Sequence, residues 1–356
     1  MQLSKNQIFW LLNTMALGIA LLLTIRTTLL YAKHDAWISI LIGGLISIFA
    51  ITIVVKLSQK YPHKTFVEYV PLIVGKKLGN MIVILYMLQW YTVIGMILRE
   101  FTGMMRLIMP HTPFWIIIIP MLLIVVFASY NGIEIIGRCS EILGPISLFF
   151  TIICFVLNYN NIDFSNLLPV LTLDNLPSLM RGSIPTAGFI GQNVIVFMLI
   201  AFMKSPKDAL KPSIIGTFLA ACFVSIAAAL VVSSFGISTS SKMWYPYYEF
   251  IRIISVANFI EHVEIILVIT WLCSVFMRLA IIFFALNYGG AQFLRIRNWK
   301  KMIWVNAIIV FIIALLPQNN YQSDILYPKL VTQYFTLPVL ILIIPVVLLI
   351  ISHLKK

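Results

Sequence analysis

The residues of this chain best suited to chemistry are a few polar groups that interrupt long apolar runs. The densest group combines helix-breaking residues with two amides: Gly182, Pro185, Gly188, Gly191, Gln192 and Asn193. Proline removes a backbone donor, and glycine lowers the cost of non-helical dihedral angles. Inside a bilayer the freed backbone groups need partners, so irregular backbone is tolerated where it lines a cavity. The stretch therefore predicts a broken membrane helix beside a cavity.

A weaker interruption lies near the N-terminus, where Asn13, Thr14 and Gly18 fall within one apolar run. These residues lie at a depth in their apolar run comparable to that of the helix-breaking stretch in its own run. They therefore favour a second helix break that would correspond to the first. A single glycine beside a polar pair is also typical of close helix packing. Both interpretations stay open at this point.

Charged residues in or beside the apolar runs offer further candidates. Arg278 lies inside one run, and an ionisable residue in a membrane segment is a functional hypothesis by default. A long side chain near a helix end can also extend to the membrane interface. The sequence is compatible with both a functional and an interfacial Arg278. Glu261 and Glu264 could receive a cation, but a solvated helix start also favours glutamate through the helix dipole. We prefer the interpretation that these two glutamates begin a solvated helix.

The sequence holds none of the motifs of hydrolysis or nucleotide binding. It has no G-x-S-x-G, no phosphate-binding loop, no H-E-x-x-H and no G-x-G-x-x-G before a strand. The four cysteines, Cys139, Cys154, Cys222 and Cys273, show no pair at metal-ligand spacing. We therefore expect no catalytic residue, no metal and no cofactor, and we predict that the protein is not an enzyme.

The composition identifies the environment in which these residues lie. Hydrophobic residues make up 61% of the 356 residues and charged ones only 10%, with a mean hydropathy of +1.01. Soluble domains carry about 25% charged residues, so a soluble enzyme is excluded. The chain is predicted to be one all-α integral membrane domain over residues 1–356, in contact with the lipid bilayer.

Ten apolar segments are long enough, or nearly so, to cross a bilayer as helices. They cover residues 7–31, 36–57, 80–98, 114–130, 135–157, 184–203, 212–236, 259–288, 302–316 and 334–353. Secondary transporters are often built from two repeats of opposite topology, with the site where corresponding helices are broken. The ten spans divide into 7–157 and 184–353, which places the two predicted breaks in corresponding spans one and six.

The charge pattern predicts the orientation. The formal net charge is +13, and most lysines and arginines fall in segments that share one side if both termini are cytoplasmic. This is the positive-inside pattern, so the basic balance indicates topology and no nucleic-acid binding. The segment from Lys56 to Lys77 alternates basic and apolar residues. It predicts a helix that lies on the cytoplasmic membrane surface.

Several short motifs together resemble the spore germination protein B-subunit family (GerAB-like), a branch of the amino acid–polyamine–organocation superfamily. They are Asn13-Thr14-Met15, Asp35-Ala36-Trp37-Ile38-Ser39, Tyr61-Pro62, Glu68-Tyr69, Gly75-Lys76, Arg138-x-x-Glu141-Ile142-Leu143-x-Pro145, Leu168-Pro169-Val170-Leu171, Trp244-Tyr245-Pro246, Phe259-Ile260-Glu261-x-x-Glu264 and Trp271. The resemblance covers nearly the whole chain. It implies a LeuT-like fold of ten spans and a nutrient receptor in the inner membrane of dormant spores, which works with an A and a C subunit.

Two positions depart from the pattern of that family. Members usually carry a Gly-x-Gly and then a proline in span one, where this chain has Ala16-Leu17-Gly18-Ile19-Ala20. They also usually carry a glutamate just after the span-six glycine, where Gly191 is followed here by Gln192 and Asn193. The loss of that carboxylate favours neutral hydrogen bonding to a ligand.

These observations predict a binding site for a small nutrient between spans one and six, and the resemblance to the family implies that the nutrient is an amino acid. Backbone N–H groups near Ala16 to Ile19 could hold a carboxylate, and the amides would add polar contacts. The expected ligand-binding residues are Asn13, Thr14, Ala16, Gly18, Ile19, Gly188, Phe189, Gly191, Gln192, Asn193, Trp271 and Met277. A proton- or sodium-coupled amino acid permease and a channel-type subunit without a small-molecule site remain alternatives.

Overall fold

The computed structural model describes residues 2–171, 176–255 and 264–355. Over these residues the chain is almost entirely helical, with one isolated bridge between Leu3 and Met203. The α-helices are α1 (Lys5–Ala32), α2 (Ala36–Gln59), α3 (Phe66–Val74), α4 (Lys76–Ile108), α5 (Phe114–Asn131), α6 (Ile133–Leu157), α7 (Leu176–Ile190), α8 (Val196–Leu199), α9 (Leu210–Ser240), α10 (Pro246–Arg252), α11 (Glu264–Phe293), α12 (Met302–Leu315) and α13 (Ile344–Leu354).

Eight segments of the described residues are long and apolar enough to cross a membrane. The first of them, Lys5–Gln59, contains both α1 and α2, which are joined by the 3-10 turn Lys33–Asp35. The predicted ninth span corresponds to α12, whose 14 residues are short for a spanning helix. The all-α membrane architecture is confirmed, while the count of ten spans and the division into two repeats stay predictions.

Local sequence signals set several helix boundaries. Ser4 caps α1 through a reciprocal pair: its hydroxyl accepts from the Gln7 N–H, and its own N–H donates to Gln7 Oε1. Gly75 and Gly132 adopt φ of +86° and +87°, a region that favours glycine, and each separates two consecutive helices. These two glycines turn the chain between α3 and α4 and between α5 and α6.

Helix α1 lies at the centre of the molecule and packs against α6, α7, α9 and α11. It is continuous from Lys5 to Ala32, so the predicted break in span one is wrong. Two of the residues that suggested the break, Asn13 and Gly18, form hydrogen bonds with neighbouring helices instead. Asn13 donates to the carbonyl of Gly216 in α9, and the Gly18 N–H donates to the Ser274 hydroxyl in α11.

At Gly191, where a break of span six was predicted, the structure shows a change of helix type instead. The α-helical part α7 ends at Ile190, and the chain continues as the 3-10 segment Gly191–Ile195 before α8 begins. A second 3-10 segment, Ile200–Phe202, follows α8. The chain stays helical throughout, so span six changes its hydrogen-bond pattern without unwinding.

The segment between α2 and α4 contains a real amphipathic helix, α3, capped by a reciprocal Thr65–Glu68 pair. Its buried face contacts protein: the Phe66 ring lies against Tyr86 of α4 and Phe197 of α8, and α3 also contacts α11 and α13. The helix predicted in this segment is present and packs its apolar face on protein, while its location on the cytoplasmic membrane surface stays a prediction. Other apolar side chains, such as Leu72, are exposed.

The last spanning segment begins with π-type helix, Gln322–Leu326 and Pro328–Ile343, before α13. Wide turns of this kind occur frequently at functional sites. They place Tyr327 and Thr332 beside α4 and α7. The predicted start of span eight, with Glu261 and His262, lies outside the described residues, and the helix is described from Glu264 onward.

Candidate functional site

Arg278 lies in the middle of the protein and does not extend to an interface. It is 1% exposed, and its guanidinium donates to Gln192 Oε1 at 2.6 Å and to the Phe189 carbonyl at 3.4 Å. Its Nε has no hydrogen-bond partner among the described residues. The structure thereby favours the functional interpretation of Arg278, because a buried charge is retained only at a considerable cost.

Glu100 of α4 is the acidic counterpart of this arginine. It is 7% exposed, and within residues 2–171, 176–255 and 264–355 its carboxylate has neither a hydrogen bond nor an ion pair. Arg278 and Asp324 lie within electrostatic range of it. An acidic and a basic side chain are thus buried near each other without direct contact.

Glu100 lies between two small cavities. One is lined by Glu100, Phe189, Gln192, Arg278 and Tyr327, together with Val93, Met96, Ile97, Pro328 and Thr332. The other is lined by Glu100, Ile19, Trp271 and Tyr245, together with Leu22, Leu23, Ile97, Met104 and Val275. Each has a volume of about 10 Å³, enough for a single water molecule. An amino acid does not fit, so the structure holds this region closed.

A third cavity, of about 30 Å³, continues on the other side of Gln192. Its lining is mostly aromatic and aliphatic, with Tyr86, Trp90 and Phe197 stacked edge to face or ring to ring. Because neighbouring cavities share Glu100 or Gln192, the three form one row through the interior. Helices α4 and α11 line all three cavities, and α1, span six and the last spanning segment each line part of the row.

The cavity that contains Trp271 is covered by residues that follow α9. Tyr245, in the lining, donates its hydroxyl to Asp324 Oδ2 at 2.8 Å, and the Trp244 indole donates to the same oxygen at 3.4 Å. The Arg26 guanidinium lies 4.5 Å from the centre of the Trp244 ring. Burial and the neighbouring Asp324 raise the pKa of Tyr245, so the phenol remains a hydrogen-bond donor at neutral pH.

Four of the expected ligand-binding residues line these cavities. Phe189 and Gln192 line the cavity that contains Arg278, and Ile19 and Trp271 line the cavity that contains Tyr245. Trp271 also stacks on Phe101 of α4 at a ring separation of 5.5 Å. The remaining expected residues do not appear in the linings and make helix–helix contacts or lie in the core: Asn13, Thr14, Ala16, Gly18, Gly188, Gly191, Asn193 and Met277.

The three glycines on that list allow helices to approach closely. A Cβ on Gly18 would lie 2.5 Å from the Ser274 Cβ, and one on Gly188 would lie 2.9 Å from the Thr332 methyl group. A Cβ on Gly191 would lie 3.2 Å from two carbons of Ile341. Each position is thus fixed by packing of α1 or span six against a neighbouring helix.

Asn193 joins three elements through one amide. Its Nδ2 donates to the Leu12 carbonyl and to the Thr217 hydroxyl, both at 3.0 Å, which links span six to α1 and α9. Its Oδ1 is buried without a partner among the described residues, as is Oδ1 of Asn13. Of the two amides after Gly191, Gln192 faces the cavities and Asn193 faces the helix interface.

A family model described as "Spore germination protein" matches residues 2–323 of this sequence. The chain belongs to the spore germination protein family. Spore germination protein YndE of Bacillus subtilis (strain 168) is 29% identical over 316 residues, which cover 87% of this chain and 86% of that protein. Spore germination protein KB of the same organism is 23% identical over 329 residues, 91% of this chain and 87% of that protein.

Solved transporter structures share the fold. MhsT in complex with L-phenylalanine superimposes with a TM-score of 0.69 at 10% identity, over 100% of this chain and 99% of that chain. Mhp1, a nucleobase-cation-symport-1 family transporter in a closed conformation with bromovinylhydantoin bound, gives 0.66 at 14% identity, over 87% and 72%. The expected LeuT-like fold of this germination protein is confirmed.

Sequence reasoning missed Glu100 and Tyr327 as site residues. Glu100 stands two residues beyond residue 98, where the sequence predicts that span three ends, and so lies outside the predicted spans. A helix that continues to Ile108 makes it an interior residue. The signal that could have found it is the i, i+4, i+7 spacing of Val93, Ile97 and Glu100, which puts them on one helical face.

Proposed function

We propose that this protein is the membrane subunit of a nutrient germinant receptor in the spore inner membrane. In this proposal it binds a small nutrient, an amino acid, and passes the change to A and C subunits. Membership of the spore germination protein family supports the role in germination. The one structural observation that carries ligand binding is the row of cavities around Glu100, Gln192 and Arg278, where ionisable groups are buried in the core of a transporter fold.

The proposed ligand position is shifted relative to the sequence-based one. Since α1 is continuous and the Gly18 N–H is already bonded to Ser274, the backbone of residues 16–19 offers little to a carboxylate. The cavity row lies between α4, α7 and α11, and takes Ile19, Phe189, Gln192 and Trp271 from the expected set. MhsT, with the same fold, carries L-phenylalanine in its solved complex, which supports a ligand of this class.

Signalling in this proposal is a shift between two packings. The cavities hold about one water each, so a nutrient has to stabilise a more open arrangement of α4 against α7 and α11. Release of the Tyr245 and Trp244 contacts to Asp324 would open the covered cavity first. The open packing is then the state that partner subunits recognise.

The test combines germination with uptake. Spores that lack this subunit, or carry Trp271→Ala with normal protein abundance, are exposed to individual amino acids, and loss of the response to one of them is expected. Membrane vesicles that contain the wild-type protein are then given the same radiolabelled amino acid. Unchanged germination on every amino acid would refute the receptor role, and concentrative uptake would favour the permease, which the transporter fold also permits.

A further inference from the structure

The interior of this protein contains an acid and a base that face one cavity and do not pair with each other. Glu100 and Arg278 both line the cavity that includes Phe189 and Gln192, and both are more than nine-tenths buried. Among the described residues the ion pairs are those of Lys5, Arg138 and Arg252, none of which involves this cavity. A gap therefore separates the buried acidic group from the buried basic group.

This arrangement leaves hydrogen-bonding capacity unused. The Arg278 guanidinium has only neutral acceptors, Gln192 Oε1 and the Phe189 carbonyl, and its Nε has no partner in the described part of the chain. The Glu100 carboxylate has no donor among the described residues. Buried charges are normally paired or bound to a ligand, because an unpaired charge in a low-dielectric interior is costly. The unused capacity points to a ligand that carries both charges.

The other charged and phenolic groups nearby are already engaged. Asp324 accepts from Tyr245 and Ser323, and the Tyr327 hydroxyl bonds to Thr92. The Arg99 guanidinium stacks over the Phe114 ring at 3.7 Å from its centre, and Arg99 lines none of the three cavities. Within the described residues, Glu100 and Arg278 are thus the pair left to meet an incoming molecule.

We infer that Glu100 and Arg278 together recognise the zwitterionic head of an α-amino acid, with the ammonium at Glu100 and the carboxylate at Arg278. This assignment rests on the proposed function and names the groups that would select its ligand class. The guanidinium matches a carboxylate in shape as well as charge. The ligand side chain would enter the adjoining apolar cavity formed by Ile19, Trp271 and Val275, which favours an uncharged side chain.

Gln192 has a defined role in this scheme. Its neutral amide oxygen orients Arg278 at 2.6 Å without neutralising it, so the positive charge remains available to a ligand. A carboxylate of the same size at this position would form an internal ion pair and compete with the ligand carboxylate. Gln192→Glu is therefore expected to stabilise the closed conformation and to lower the affinity for an amino acid.

The experiment measures thermal unfolding of the purified full-length protein with three probes. These are a pool of the twenty L-amino acids, a pool of their amides, which lack the carboxylate, and a pool of the matching carboxylic acids without the amino group. A ligand that binds the folded state raises its Tm. We expect the amino acid pool to raise the Tm of the wild-type protein, and the other two pools to leave it nearly unchanged.

The variants assign each charge to one end of the ligand. Glu100→Gln and Gln192→Glu should each weaken the response to the amino acid pool by about 10- to 100-fold in midpoint concentration, the size of a lost charged hydrogen bond. Glu100→Gln should in addition remove the preference for amino acids over the carboxylic acids. Glu134→Gln, on the exposed surface and paired with Arg138, is the matched control and should respond like the wild type.

Glu100→Gln alone leaves the buried Arg278 charge without an acidic neighbour, and this can by itself prevent the variant from folding. The double variant Glu100→Gln/Arg278→Met removes both groups and tests the same assignment in that case. It should fold and show no response to the amino acid pool. The assignment would be overturned if the single or double variants responded to the amino acid pool with the same midpoint concentration as the wild type. It would also be overturned if the wild-type protein responded to the amides or to the carboxylic acids as strongly as to the amino acids. If no pool raises the Tm of the wild-type protein, the amino acid ligand of the proposed function is wrong as well.

Discussion

At the scale of single residues, one hydroxyl group connects the two central helices of this protein. Ser274 of α11 accepts from the Gly18 N–H of α1 and donates to the Thr14 carbonyl one turn earlier. It thereby occupies the space that a Cβ on Gly18 would need. Gly18 is required by this contact, and the helix remains continuous because the inserted hydroxyl satisfies both backbone groups.

Gly18→Ala tests this contact. The new Cβ would lie 2.5 Å from the Ser274 Cβ, so we expect a loss of about 1–3 kcal/mol in the free energy of unfolding through overpacking. Thermal unfolding of the purified protein measures the effect. Adding Ser274→Gly should recover part of the loss because it removes the clashing atom. An alanine variant as stable as the wild type would contradict the packing described here.

Asn193 supplies a second prediction at this scale. Asn193→Leu removes the donor shared by the Leu12 carbonyl and the Thr217 hydroxyl, which should cost about 1–3 kcal/mol and lower protein abundance. Since Asn193 lines none of the three cavities, nutrient preference should not change. Germination dose–response curves, read beside protein levels, measure both quantities. Thr217→Val, which removes one of the two acceptors, should have the smaller effect, and a shifted nutrient midpoint would restore Asn193 to the ligand site.

At the scale of elements, α3 packs against the part of the helix bundle that contains the third cavity. Phe66 lies 4.6 Å from the Tyr86 ring and 4.2 Å from the Phe197 ring, centre to centre, and Phe197 lines that cavity. On the same helix the Tyr69 hydroxyl bonds to Ser58 of α2. The short helix thus connects α2, α4 and span six.

Truncation of this contact should destabilise the protein strongly. Phe66 is 2% exposed, so Phe66→Ala should cost about 3–5 kcal/mol in the free energy of unfolding. Leu72 lies on the same helix and is 55% exposed, so Leu72→Ala should change stability by only about 0.5 kcal/mol. Tm values of the two purified variants provide the comparison. Equal losses would indicate that α3 is not packed against the bundle as described.

At the scale of the whole molecule, the charge pattern predicts which side each loop faces. We expect the loop before α3 to be cytoplasmic and the loop after α9 to be outside. In a background with Cys139, Cys154, Cys222 and Cys273 replaced, a membrane-impermeant thiol reagent added to intact cells should label Lys242→Cys. It should label Lys64→Cys only after permeabilisation, because both positions are exposed and differ only in side. Labelling of position 64 in intact cells would reverse the orientation.

The sequence by itself determined the class of this protein. Ten apolar runs with 10% charged residues allow only a helical membrane protein, because the bilayer offers no partner to an unpaired backbone group. The helix-breaking stretch before Gln192 also marked the place where span six changes its hydrogen bonding. These features depend on residues that are close in sequence, so local composition and spacing suffice to find them.

Only the tertiary structure decided which polar residues form the candidate site. Asn13, Gly18 and Asn193 looked like ligand contacts in the sequence, but they form hydrogen bonds with Gly216, Ser274 and Leu12, which are all distant in the chain. Glu100 looked like part of an outer segment, yet it shares a cavity with Arg278. Whether a buried polar group binds a neighbour or faces a cavity depends on which helices lie beside it. That neighbourhood is set by packing between segments more than 100 residues apart, which no local pattern contains.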